Sequence, residues 1–153
     1  MSGLRTIRAN LRVTAEGGQP GTAVQFAAIR RWNAPRDGFI SIDGLLGEQT
    51  KDSEGAHGWI VSSTTGQLGM YIANNNQVAT KVPRALVKKG DVIDFVVMGR
   101  SSFSWAPEIK YVDGGKTWNA QKDFSGTLPP KNMDAWEKFA QVLFETNELT
   151  FVN

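Results

Sequence analysis

Apolar side chains recur at every second position through most of the first 125 residues, and that spacing leaves few folds open to the chain. Ile7, Ala9, Leu11 and Val13 alternate with Arg8, Asn10, Arg12 and Thr14, as the two faces of a half-buried strand require. Val24, Phe26 and Ala28 share one face of a second strand over 23–32, and Ile40 and Ile42 one face of a third over 39–45. Trp59 and Val61 oppose Ile60 and Ser62 over 58–63. Further strands follow over 67–73, 80–87, 92–98 and 109–112, with a short one at Phe103 and Trp105. Turn residues punctuate the series: Glu16 to Gly21, Pro35 with Gly38, Thr64-Thr65-Gly66, Asn74-Asn75-Asn76 and Lys88 to Asp91. Pro83 marks its strand as an edge or a bulge, whereas the run 92–98, broken only by Asp94, reads as a central strand. About eight short strands at this spacing predict an all-β fold, an antiparallel jelly-roll β-sandwich.

The period changes near the end. Trp136, Phe139, Ala140, Leu143 and Phe144 fall at i, i+3, i+4, i+7 and i+8, one face of a short C-terminal amphipathic helix. Asn132 or Asp134 can cap it, and Pro129-Pro130 separates it from what precedes. The chain therefore divides into a β-sandwich over 1–128 and a helix with its tail over 129–153. A stripe this aromatic packs on the sandwich or on a partner.

Composition removes several function classes. There is no cysteine, so disulfides, thiolate metal sites and cysteine nucleophiles are excluded. Seventeen basic and fifteen acidic side chains leave a net charge of +2, without the basic footprint of a nucleic-acid partner. The densest basic group, Arg5, Arg8 and Arg12, is the wet side of the first strand. No apolar run approaches the roughly 20 residues of a membrane span, so no membrane insertion is expected, and the opening Met1-Ser2-Gly3-Leu4 lacks a signal peptide's apolar stretch.

Catalytic constellations are hard to assemble. His57 is the only histidine and no G-x-S-x-G elbow occurs, so neither a serine hydrolase nor a three-histidine metal site can be built. Asp43, Asp52, Glu54, Asp91, Asp94 and Glu108 could supply the carboxylate pair of a glycosidase. Asp91 reads as a turn residue and Asp94 as a solvent-facing residue of an outer sheet face. The domain is read as non-enzymatic. No cofactor is expected; a structural calcium on Glu16, or on Asp52 with Glu54, is the one metal reading the carboxylates allow.

Carbohydrate recognition asks for less: flat rings to stack on sugar C–H faces, and polar groups to bond the hydroxyls. Trp59, Tyr71, Trp105 and Trp118 are the candidate platforms, each competing with a packing role, while Trp32 and Trp136 read as core. Trp59 and Tyr71 lie on two strands of one hairpin, where pairing brings residues within reach. His57, Asn74, Asn75 and Arg100 are polar groups able to complete a site. The expected function is a non-catalytic, carbohydrate-binding-module-like domain that holds polysaccharide by ring stacking. The alternatives are an interaction module of a larger protein and, last, a glycoside hydrolase.

Several ordered stretches carry a resemblance. They are Thr14 to Gly21, Ile29 to Gly38, Ser41-Ile42-Asp43-Gly44, Ile60 to Ser63, Val87 to Val97, Phe103 to Pro107 and Trp136 to Leu143. Together they resemble the C-terminal β-region of large planctomycete proteins that carry cytochrome c-like domains and planctomycete-specific domains of unknown function. The resemblance covers most of the chain and implies an exported accessory domain of a periplasmic or cell-surface protein that handles polysaccharide.

Overall fold

The computed structural model describes residues 12–14, 16–20 and 27–123. The expected strand residues Ile7 to Leu11, Val24 and Phe26, and the expected helix around Trp136 to Phe144, lie outside them. Among the described residues there are eleven strands: β1 (Arg12–Val13), β2 (Gly17–Gln19), β3 (Ala28–Asn33), β4 (Gly38–Glu48), β5 (Ala56–Ser62), β6 (Gly66–Ala73), β7 (Asn76–Val87), β8 (Val92–Met98), β9 (Phe103–Trp105), β10 (Glu108–Tyr111) and β11 (Thr117–Asn119). A helical turn, Ala120–Asp123, follows β11.

The strands form two antiparallel sheets, one of seven strands and one of four in the order β3-β8-β5-β6. The chain passes from one sheet to the other at β2–β3, β3–β4, β4–β5, β6–β7, β7–β8 and β8–β9, the alternation of a jelly-roll sandwich. The apolar run 92–98 is the central strand its composition predicts, since β8 lies between β3 and β5.

β4 is the spine of the larger sheet. One edge pairs with β7 along its length; the other pairs with β9 through Leu46–Glu48 and with β10 through Ile40–Asp43. Opposite Ile40 stands Ala85 and opposite Ile42 stands Val82, so β7 sets two residues, Pro83 and Arg84, against Ser41 alone. A proline without an N–H is tolerated at such a bulge. The run from Glu16 to Gly21, expected as a break, supplies β2, which bridges β1 to β9.

The two inner faces meet around Trp105, which is 1% exposed. Its indole N–H donates to Thr80 Oγ1 at 3.0 Å, and Phe95 of the opposite sheet meets it at 5.6 Å with the rings at 90°. β5 passes close beneath: a Cβ on Gly58 would lie 2.8 Å from Leu46 and 3.2 Å from Trp105, so no other residue fits there without displacing the core. Ile40, Ile42, Leu46, Ile60 and Ile93 complete the centre with no exposed surface, each stabilising the fold by about 1.5–3 kcal/mol.

The outer face of the smaller sheet differs from the sequence reading. Asp94, expected to face solvent, points away from the core but has no exposed surface. Arg31 holds it in a two-point ion pair, Nε to Oδ1 at 2.8 Å and Nη2 to Oδ2 at 2.9 Å. Its strand position was legible; its guanidinium partner on β3 was not.

Glu48 is a second buried charge that the sequence hides, because 47–58 reads as a polar loop. Its carboxylate accepts the backbone N–H groups of Thr50, at 2.8 Å, and Asn75, at 3.0 Å. It thereby ties the loop after β4 to the β6–β7 turn, where Asn75 adopts φ 51°. Burial alone would raise its pKa, but the hydrogen bonds from Asn75, Thr50 and Ser53 outweigh burial and hold it at about 2, against an ordinary 4.5. A depressed folded-state pKa gives stability that is complete above the unfolded value and is lost as pH falls through the folded one. Glu48→Gln is expected to lower unfolding free energy by about 1–3 kcal/mol at pH 7. In denaturant titrations the gap from the parent should narrow below about pH 4.5 and close near pH 2; a gap constant with pH would contradict the assignment.

Candidate functional site

The sandwich opens on one flank, where β3 ends the smaller sheet and β11 ends the larger. A cleft of about 280 Å³ lies there, lined by Trp32, Asn33, Trp118 and Asn119 among others, with Phe95, Pro107 and Ile109 at its base. That volume falls just short of the usual range for small-ligand sites, which starts at about 300 Å³. The cleft arises from register: Ile109 pairs with Trp118 across β10 and β11, so Trp118 faces the same side as the core residue Ile109. Trp32 shares the inward side of β3 with Ala28 and Arg30.

Three aromatic rings meet at this flank. Trp32 and Trp118 are 5.4 Å apart at 66°, Tyr111 and Trp118 5.8 Å apart at 70°, and Trp32 and Tyr111 6.3 Å apart at 57°. Edge-to-face contacts of this kind hold rings in fixed orientation. The Tyr111 hydroxyl donates to the Arg36 carbonyl at 2.6 Å, and the Arg36 guanidinium covers the Tyr111 ring at 3.8 Å. The Lys116 ammonium lies 5.6 Å from the Trp118 ring centre.

Polar groups surround the rings. Asn119 caps the helical turn: its side-chain oxygen accepts the Gln121 N–H at 2.9 Å, its own N–H donates to Asp123 at 2.8 Å, and the Ala120 N–H donates to the Pro107 carbonyl at 2.9 Å. Arg30 is 7% exposed on the cleft wall and donates to the Trp105 carbonyl. Burial draws its pKa down to about 10, with the Glu16 carboxylate pulling the other way, so it remains a cation at neutral pH. The Trp32 indole nitrogen is buried and has no hydrogen-bond partner among the described residues. Leaving such a donor unpaired costs roughly 1–3 kcal/mol, and unmet donors of this kind call for an explanation.

The eight residues singled out in the sequence do not form one site. Trp118 lines the cleft. Trp105 is core, and a ring with 1% exposure offers no face for stacking. Trp59 and Tyr71 face opposite ways, because Trp59 pairs with Met70 and it is Gly58 that pairs with Tyr71. Neighbouring positions on a strand point to opposite sides, so Trp59 is on the outer face and Tyr71 on the inner. The Tyr71 ring folds over Gly69, where a Cβ would lie 2.4 Å from its hydroxyl, and that hydroxyl donates to the Lys81 carbonyl at 3.1 Å. His57 stacks on Trp59, with ring centres 6.2 Å apart at 28°. Asn74, Asn75 and Arg100 occupy exposed loops at the end of the sheet away from Trp32, and Arg100 lies 3.9 Å from Glu54.

Trp32 is the residue that sequence reasoning assigned wholly to the core. Its alternation with Arg31 and Asn33 identifies an inward side chain; only the facing edge strand β11 shows that inward, at this position, means the wall of a cleft. The carboxylates disperse as well. Asp43 and Glu108 oppose each other across β4 and β10, on the outer face, with Lys81 3.8 Å from Asp43. Among the described residues no group of three or more histidine, aspartate or glutamate side chains could hold a metal ion, and Glu54 faces Arg100 instead.

No protein-family model matches the chain, and no curated protein does. Among solved structures it is similar to the C-terminal CBM6 of LamC, a marine laminarinase from Zobellia galactanivorans, at 14% identity and a TM-score of 0.35, over 53% of this chain and 70% of that one.

The two tryptophans differ in one measurable respect. Trp105→Phe deprives buried Thr80 of its donor, whereas Trp32→Phe removes a donor that has no acceptor. Trp105→Phe is expected to cost at least about 1 kcal/mol more in denaturant unfolding; equal costs would mean that the Trp32 N–H is satisfied.

Proposed function

We propose that this domain is a non-catalytic binding module that holds carbohydrate in the cleft between Trp32 and Trp118. The observation that carries the reading is a half-buried ring pair on an open flank, one member of which keeps an unmet indole donor. A sugar presents what such a wall lacks: C–H faces for the exposed part of Trp118, and hydroxyl or ring oxygens for the Trp32 N–H once Trp118 shifts aside on its edge strand. Asn33 and Asn119 stand at the rim to bond further hydroxyls, and Asp123 can accept one.

Trp32 and Tyr111 hold each other in place, so Trp118 is the one ring that moves when ligand binds and the conformational entropy lost is small. The chemistry of the acids supports the non-catalytic reading. Asp94 is neutralised by Arg31, Asp43 lies beside Lys81, and Asp123 is bonded to the Asn119 N–H. Hydrolysis needs a carboxyl pair flanking the bound glycosidic bond, and among the described residues the cleft lining contributes one carboxyl, Asp123.

Affinity electrophoresis through gels containing neutral or acidic polysaccharides, with a glycan array to widen the search, tests the reading. At least one glycan should retard the parent, and Trp118→Ala should weaken that binding tenfold or more, about 1.4 kcal/mol. Trp59→Ala should leave it within about twofold of the parent, a difference under about 0.5 kcal/mol. Binding lost in Trp59→Ala and kept in Trp118→Ala would move the site to the sheet face, and no retardation by any glycan would end the carbohydrate reading.

A further inference from the structure

The outer face of the four-stranded sheet is drier than a free surface can be. Ile29, Val96 and Trp59 form one row across β3, β8 and β5, and Arg31, Asp94 and Val61 form the next. Val61 and Val96 have no exposed surface, although both point away from the sandwich core. The residues packed against them are Ala27, Ile29, Trp59, Val92 and Met98, which flank them on the same sheet. Side-by-side neighbours on a pleated sheet leave the outward tip of a valine in water; a layer lying over the sheet removes it. The Arg31–Asp94 pair, at 10% and 0% exposure, is shielded under the same layer. One strand further out on β6, Met70 and Ile72 are each 48% exposed. The dry area therefore spans β3, β8 and β5 and stops before β6.

We infer that this face is the docking surface for the apolar stripe of the chain's own C-terminal segment, Trp136, Phe139, Ala140, Leu143 and Phe144. Those residues lie outside the described part of the chain, and the stripe is read from their spacing alone. Size, reach and chemistry agree with the pairing. Nine residues at helical rise cover about 13 Å, and three strands span roughly 10–15 Å. The described chain ends at Asp123, which lines the cleft beside Arg31 and Asn33 of β3, the edge strand where the dry area begins. The twelve residues 124–135 can extend about 40 Å, far enough to turn that edge. The face offers an aromatic, a thioether and branched aliphatics to a stripe of two phenylalanines, a leucine and a tryptophan.

The absence of cysteine makes cross-linking a clean test in the full chain. Met98→Cys, partly buried on the face, is combined with Phe139→Cys or Leu143→Cys. Leu45→Cys, on the exposed outer face of the other sheet, is combined with the same partners as control. Ile7→Cys with Met98→Cys represents the N-terminal segment as a rival cover. Under mild oxidation at least one Met98 pair with the C-terminal stripe should close within a single molecule, tenfold or more faster than its Leu45 control. No excess over control, a disulfide only between two molecules, or preferential closure of the Ile7 pair would each overturn the assignment. A second measurement avoids the cysteines: Leu143→Asp should raise the peroxide oxidation rate of Met98 to that of exposed Met70 while far-ultraviolet circular dichroism stays sheet-like. An unchanged Met98 rate in a folded variant would also overturn it.

Discussion

The sandwich is organised around a single ring. Trp105 comes from a strand of three residues, yet it touches most of the fold. Its indole N–H is bonded to Thr80 on β7, its ring meets Phe95 on β8, and its plane lies against the space that Gly58 leaves open on β5. Its carbonyl accepts Arg30 from β3. Close packing makes such a residue irreplaceable in size, because a core near crystal density has no slack to refill a lost indole. The other dependencies follow. Once Trp105 sets the separation of the sheets, β4 can serve both β9 and β10 on one edge, and Arg30 is committed to a buried position from which it forms part of the cleft wall.

The cleft is a consequence of how the two sheets end. β3 and β11 are edge strands of different sheets on the same flank, and edge strands left bare invite pairing with other chains. Among the described residues, side chains and not a further strand fill the flank. Trp32, Tyr111 and Trp118 lean on one another, and the helical turn capped by Asn119 closes one side. What remains open is a groove with an aromatic wall and polar groups at its rim, which is how small-molecule sites are generally built. Tyr111 is held from behind by Arg36, itself in a two-point pair with Asp113, so the loop beyond β10 supports the ring cluster without entering the groove.

The smaller sheet is asymmetric in a way that strand alternation alone does not produce. Its inner face belongs to the main core, while its outer face carries a second apolar cluster of its own around Val61 and Val96. β8 is therefore apolar on both sides, which is why its sequence reads as a nearly continuous hydrophobic run and not as an alternating one. The one polar interruption, Asp94, is compatible with that dry setting because Arg31 satisfies both carboxylate oxygens.

Local patterning along the chain settles the all-β class, the positions of most strands and several local devices. Period-two alternation gave Trp59 and Val61 one face and Ile60 the other; Pro83 announced an edge or a bulge; the asparagine run at 74–76 announced a turn; and 92–98 announced a central strand. These are local consequences of sterics, and they are legible wherever one residue's conformation is settled by its immediate neighbours. Which tryptophan is core and which is wall depends on long-range packing, because Trp105 and Trp118 alternate alike in sequence and differ only in what stands opposite them. The same holds for the one-residue register that turns Trp59 and Tyr71 to opposite faces, for the loop carboxylate Glu48 that becomes a buried clamp, and for the pairing of Arg31 with Asp94, 63 positions apart. Burial and partnership at these sites are set by contacts between distant strands, and no local pattern encodes which strands will meet.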